Sequence, residues 1–212
     1  MAIWIFAVWT AATATPGSLS ATDIVSRMAA SRTGLSSYSV PIHFDLSVHK
    51  GVSASAKLDG VRYFQQPDKE VLVMNSMPSI AKQFKYLYEG LGTPETWPAQ
   101  YDISRVDNPD PKVYSLKGVP KSAGGIKYVL LDVASDNLAP IDAHWFYANG
   151  GTVAIQYRNA MVQGQYMLPA SETIDMSFPE YKVHATGTFG DYSINQPIPN
   201  AIWQVSPQPL PT

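Results

Sequence analysis

Residues 38–49 read YSVPIHFDLSVH, and they alternate without a break. Tyr38, Val40, Ile42, Phe44, Leu46 and Val48 fall on one side; Ser39, Pro41, His43, Asp45, Ser47 and His49 fall on the other. Successive strand residues point to opposite faces, so this stretch is a strand, about 37–50, with one buried and one wetted face. Two readings compete for it. The polar side, with its His-x-Asp and second His, is a candidate metal or catalytic site. The apolar side is a candidate ligand surface.

The chain has 212 residues, enough for one domain with a sizeable core. Hydrophobic residues make up 45% and charged residues only 15%, a mix too apolar for a disordered chain. A net charge of -2 gives no basic patch for nucleic acid phosphates. The absence of Cys removes disulfides, thiolate nucleophiles and Cys-based zinc sites together.

The first residues carry an unbroken apolar run, IWIFAVW (3–9), followed by Ala12-Thr13-Ala14, a small-x-small pattern before a signal-peptidase cut. Residues 1–14 are therefore expected to be an export signal. The run is far short of the ~20 apolar residues that span a bilayer, so no transmembrane segment is expected in the mature protein.

Beyond it, Ser20 and Asp23 form a capping box, and Ile24, Val25 and Met28 recur at helical spacing up to Gly34. A helix over about 21–33 follows. After the opening strand, Lys50-Gly51 begins a turn. Asp59-Gly60 reads as a second turn, and Gln66-Pro67 breaks the pattern again before EVLVM (70–74). Ile80, Phe84, Leu87, Tyr88 and Leu91 make one apolar stripe, so a second helix is expected over about 79–91. Trp97 lies in a Pro-flanked loop, placed to anchor it to the core or to cover a pocket. From about residue 101 the chain is all strand, with turns at 122–125 and at Asn149-Gly150-Gly151. Residues 196–212 form a Pro-rich tail, expected to be extended and packed along a surface, or disordered.

Chemistry is thinly signposted. His43 and Asp45 are ~6.8 Å apart along a strand and His49 lies ~20 Å beyond His43. A zinc site there needs a third ligand such as His144 or His184. The sequence has no G-x-S-x-G, H-E-x-x-H or P-loop. No catalytic residue, metal ligand or cofactor is nominated, and a non-enzyme is expected. The rival readings are a metal-dependent enzyme on His43 and Asp45 with another His, and a protein-binding sensor or scaffold module.

The apolar side is richer. Val40, Ile42, Phe44, Leu46, Phe84, Tyr88, Leu91, Trp145 and Tyr147 are the candidate lining of a hydrophobic cavity. Tyr63, Tyr128 and Leu130 also read as inward. The expected fold is α+β: a strongly curved antiparallel sheet of about 8–11 strands, a half-open β-barrel, with two helices over its concave face.

The order of SYSVPIHFDLSV, AKLDGVRYFQQPDKEVLVM, a helix, IDAHWFYANGGTVAIQYRN and YMLPASETIDM resembles the bacterial outer-membrane lipoprotein-sorting (LolA-like) superfamily of periplasmic carriers, in particular its uncharacterised members. The resemblance spans about residues 19–195. It implies a half-open barrel with helices in its mouth, sheltering the acyl chain of a lipid or lipoprotein, in a periplasmic or secreted protein that meets a membrane-associated partner. Lipoprotein carriers commonly place a basic residue before the proline of this passage. Gln66 stands there instead, so the acyl-release role of that residue is not carried over.

Overall fold

The computed structural model describes residues 19–76, 78, 82–89 and 93–204. The export segment 1–14, Ile80 and Leu91 of the helical stripe, and tail residues 205–212 lie outside the described residues. No described helix is long and apolar enough to cross a membrane.

Helix α1 (Ala21–Ala30) starts at the expected capping box. The Ser20 hydroxyl accepts from the Asp23 N–H, and the Asp23 carboxylate accepts from the Ser20 N–H at 3.1 Å. The helix ends sooner than its pattern suggests. Turns follow to Gly34, whose φ of +87° suits a residue without Cβ. Ile24, Val25 and Met28 are buried.

The sheet opens with β1 (Ser37–Lys50), β2 (Val52–Gln65) and β3 (Lys69–Met74). Helix α2 (Lys82–Glu89) and a single turn, α3 (Trp97–Gln100), follow. The meander then runs through β4 (Tyr101–Val106), β5 (Val113–Pro120), β6 (Ile126–Ala134), β7 (Pro140–Tyr147), β8 (Thr152–Val162), β9 (Tyr166–Phe178), β10 (Tyr181–Phe189) and β11 (Ser193–Ile194). The described part of the tail holds a 3₁₀ turn, Asn200–Gln204. The strands form one antiparallel sheet in the order β3-β2-β1-β10-β9-β8-β7-β6-β5-β4, with β11 beside β1. The sheet does not close into a barrel, since β3 and β4 are its two ends.

The register of β1 places Tyr38, Val40, Ile42, Phe44, Leu46 and Val48 in the core. His43 is half-exposed and Asp45 and His49 are exposed, so the polar side is the convex back of the sheet. Opposite Phe44 on β10 sits Gly187. A Cβ there would lie 2.9 Å from the Phe44 ring and 3.0 Å from the Glu172 side chain, so the glycine makes the room they occupy.

Asp59-Gly60 is not a turn. Both residues lie inside β2, paired with His43 and Ile42 of β1. The reversal falls at Gly51, φ +73°. Local turn propensity is overridden because β2 pairs along its whole length with β1 and also carries β3. Gly60 serves a close approach instead: a Cβ there would stand 2.6 Å from the Val73 carbonyl oxygen.

Three inward assignments also fail. In β6, Val129 and Leu131 face the interior, so Tyr128 and Leu130 face the other side, where Tyr128 stacks on Phe146 at 4.4 Å. In β2, Phe64 and Arg62 point inward and Tyr63 does not. Apolar residues in both phases left VRYF and YVLL without a period to read.

Candidate functional site

A cavity of about 160 Å³ lies against the concave face, beneath α1 and the segment around α3. Met28 and Arg32 enter it from α1, Tyr88 from α2, and Pro94 and Trp97 from the segment after α2. The sheet contributes Leu116, Leu131, Ala143, Trp145 and Leu168, with Gly118 opening a place for the Tyr101 ring 3.4 Å from where its Cβ would be. These residues share the cavity because every inward position of a strand is two residues from the next. The curvature brings β2 and β4–β9 round to one space.

The wall is not wholly apolar. Arg62 of β2 pairs with Glu70 of β3 and donates to the Tyr88 hydroxyl at 3.0 Å, tying the β2–β3 hairpin to α2. Its guanidinium also lies 5.3 Å from the Tyr88 ring centre. Burial opposes the Arg62 charge, but Glu70 beside it holds it firmly protonated. A second pair, Arg32 to Glu95 at 2.5 Å, joins the end of α1 to the segment after α2. Arg32 lies over the Phe64 ring at 4.8 Å, and Tyr38 stacks on that ring at 5.1 Å.

Glu172 of β9 lines the same cavity between its neighbours Tyr157 and Gly187. It is only 3% exposed. No hydrogen bond of ordinary geometry reaches either carboxylate oxygen. Burial pushes its pKa up to about 7, with Arg62 and the nearby Tyr88 hydroxyl offsetting part of the cost. Burial likewise raises Tyr157 and Tyr88, so both stay neutral phenols.

Of the residues nominated from sequence, Tyr88 and Trp145 line the cavity. Phe44 and Phe84 lie behind Tyr88: Phe44 meets Phe84 and Tyr88 edge-on at 5.0 and 5.4 Å, and Phe84 stacks on Tyr88 at 5.8 Å. Val40, Ile42 and Leu46 are buried along β1 away from the cavity wall. Tyr147 packs on Phe178 at 5.2 Å. Leu91 lies outside the described residues. Arg62 and Glu172 were not nominated. Glu172 was within reach of the pattern, since it stands two residues before buried Ile174 and four before buried Met176 on one face of β9. Its carboxylate argued the other way.

The histidines occupy the back of the sheet or its margins, each with a partner. His43 Nδ1 lies 2.7 Å from Asp59 and its Nε2 3.7 Å from Asp45. His184 lies 2.8 Å from Asp175, His144 is paired with Asp142, and His49 lies 2.9 Å from the Ser53 hydroxyl. Strands β10, β9 and β8 separate β1 from His144 on β7. Among the described residues no three His, Cys, Asp or Glu side chains are grouped to hold a metal ion.

Neither a family model nor a curated protein matches the chain. Its fold is shared with solved structures at low identity. A LolA superfamily protein from Nitrosomonas europaea superposes with a TM-score of 0.58 at 13% identity, covering 88% of this chain and 98% of the other. A putative outer membrane lipoprotein-sorting protein domain from Vibrio parahaemolyticus gives 0.59 at 12% identity, covering 87% and 96%. A DUF1329 family protein from Desulfovibrio piger gives 0.61 at 13% identity, covering 86% and 95%. The chain therefore has the LolA-like fold, complete along nearly the whole length of each of these structures.

Proposed function

We propose that the protein is a non-catalytic carrier that holds an acyl chain or similar hydrophobic ligand in the concave cavity. The observation that carries this reading is the cavity itself: a concave space walled by Trp97, Leu116, Leu131, Trp145 and Leu168. Ligand sites are usually concave, mostly apolar, and equipped with a few convergent polar groups, as here with Arg62, Tyr88 and Glu172. A space of about 160 Å³ takes a benzene-sized group. A chain-like ligand therefore inserts one end.

The fold shared with a lipoprotein-sorting domain supports the same reading. The apolar run at 3–9 and the Ala12-Thr13-Ala14 pattern support export by the segment 1–14, and with it action in the periplasm or outside the cell, with a lipoprotein or membrane-associated protein as partner. The test is direct. Protein purified from its host is extracted into organic solvent and the extract analysed by mass spectrometry. The delipidated protein is then offered a fluorescent fatty acid and its melting temperature followed. Co-purifying lipid and a melting temperature that rises with added ligand are expected, because a ligand bound only by the folded state stabilises it. No extractable lipid, and no response to any chain offered, would end this reading.

A further inference from the structure

An apolar cavity needs no carboxylate. Glu172 is nonetheless built into its wall, 3% exposed, and no hydrogen bond of ordinary geometry reaches either oxygen; the Tyr88 hydroxyl, which already accepts from Arg62, lies nearby and meets only part of its need. Leaving a buried acceptor unmet is costly. The cations around it face other carboxylates, and the phenols bring no positive charge. Arg62 of β2 is committed to Glu70 of β3 and to the Tyr88 hydroxyl of α2. Tyr38 of β1, Tyr157 of β8 and Tyr192 beyond β10 are buried phenols held in their neutral form. Opposite on β10 stands Gly187, with no side chain to offer. Arg32, which also lines the cavity, meets Glu95 through its Nε, while its Nη2 has no hydrogen-bond partner.

We infer that Glu172 is a recognition subsite, accepting a hydrogen bond from an ammonium or hydroxyl group on the inserted end of a hydrophobic ligand. The subsite presupposes the carrier reading, since the ligand's hydrocarbon occupies the same cavity. It narrows the ligand class from any acyl chain to amphiphiles bearing a donor. A carboxylate head group has no donor when ionised and repels an ionised Glu172, so simple fatty-acid anions are disfavoured with the head group inward.

The test compares three ligands of one chain length: dodecylamine, 1-dodecanol and dodecanoate. Each is titrated into delipidated wild type and into Glu172→Gln at about pH 5.5 and about pH 8.5, either side of the carboxyl's midpoint. At the higher pH one of the donor ligands should bind wild type about tenfold more tightly than dodecanoate. Glu172→Gln should abolish that preference. A lead by dodecylamine that grows with pH assigns the donor as a cation; a lead by dodecanol at both pH values assigns a neutral hydroxyl.

Should the variant fail to fold, carbon-13 NMR of wild type decides between the outcomes. Saturation with the preferred ligand should move the Glu172 titration midpoint, downward for the amine and by contrast not for dodecanoate. Equal affinities for all three ligands, a preference that survives Glu172→Gln, or an unmoved midpoint would overturn the subsite and leave the carrier reading standing. Binding of none of the three would overturn both.

Discussion

Arg62 donates to the Tyr88 hydroxyl at 3.0 Å, and this bond crosses from the sheet to the helix above it. The same guanidinium neutralises Glu70 on the neighbouring strand. One side chain thus links β2, β3 and α2 in a place where water is scarce.

Arg62→Ala leaves Glu70 charged and unpaired, and removing one partner of a buried pair costs about 3–5 kcal/mol. Tyr88→Phe removes only the hydroxyl and should cost about 1 kcal/mol. Denaturant unfolding checks both. Equal effects would mean that the charge pair is solvated.

Glu172 makes stability depend on pH in the less usual direction. Its folded-state pKa of about 7 lies above the ordinary 4.5. Between those values the folded chain keeps a proton that the unfolded chain has released. Stability from this group therefore falls as pH rises from about 4.5 to about 7 and is level above, the whole loss being roughly 3 kcal/mol. Glu172→Gln should be more stable than wild type by a similar amount at about pH 8 and by little at about pH 4. Urea melts of both proteins at the two pH values supply the comparison.

Phe84 and Trp145 separate core from cavity. Phe84 is buried behind Tyr88 against Phe44, so Phe84→Ala should cost about 3–5 kcal/mol. Trp145 already faces empty space on one side, so Trp145→Ala should cost less and should weaken uptake of a fluorescent fatty acid. Full core penalties at both positions, with uptake unchanged, would show that the ligand lies elsewhere.

Gly60→Ala puts a Cβ 2.6 Å from the Val73 carbonyl oxygen and 2.7 Å from the Met74 sulfur. The sulfur can swing away but the backbone oxygen cannot. We expect a loss of about 1–3 kcal/mol and faster hydrogen exchange confined to β3. Exchange that quickens uniformly across the sheet would place the strain elsewhere.

Much of this fold is legible along the chain because local and long-range demands agree. The alternation of residues 38–48, the Ser20–Asp23 cap and the Asn149–Gly151 reversal are each dictated within a few residues. Asp59-Gly60 misleads because its conformation is set by β1 and β3, distant in sequence. Tyr63, Tyr128 and Leu130 mislead because apolar residues fill both phases of their strands. The polar part of the site is hidden for a different reason. Nothing near Glu172 in sequence indicates Tyr88 or Arg62, and a carboxylate on a strand ordinarily belongs on the outside. Only folding shows that Tyr88 and Trp145 border one space while Val40, Ile42 and Leu46 lie apart from it.

The two ends of the sheet, β3 and β4, are not bonded to each other. In a closed barrel, strand number and shear fix the diameter. Here no ring of bonds does so, and the girth of the interior is an elastic quantity. Small changes of twist at each strand pair add up along the sheet from β3 to β4, so the gap between its ends can widen while every ladder bond is kept. An open sheet of this kind fixes its girth less tightly than a tube does, and the Arg62 bond to Tyr88 is a tie from its curve to the helical side.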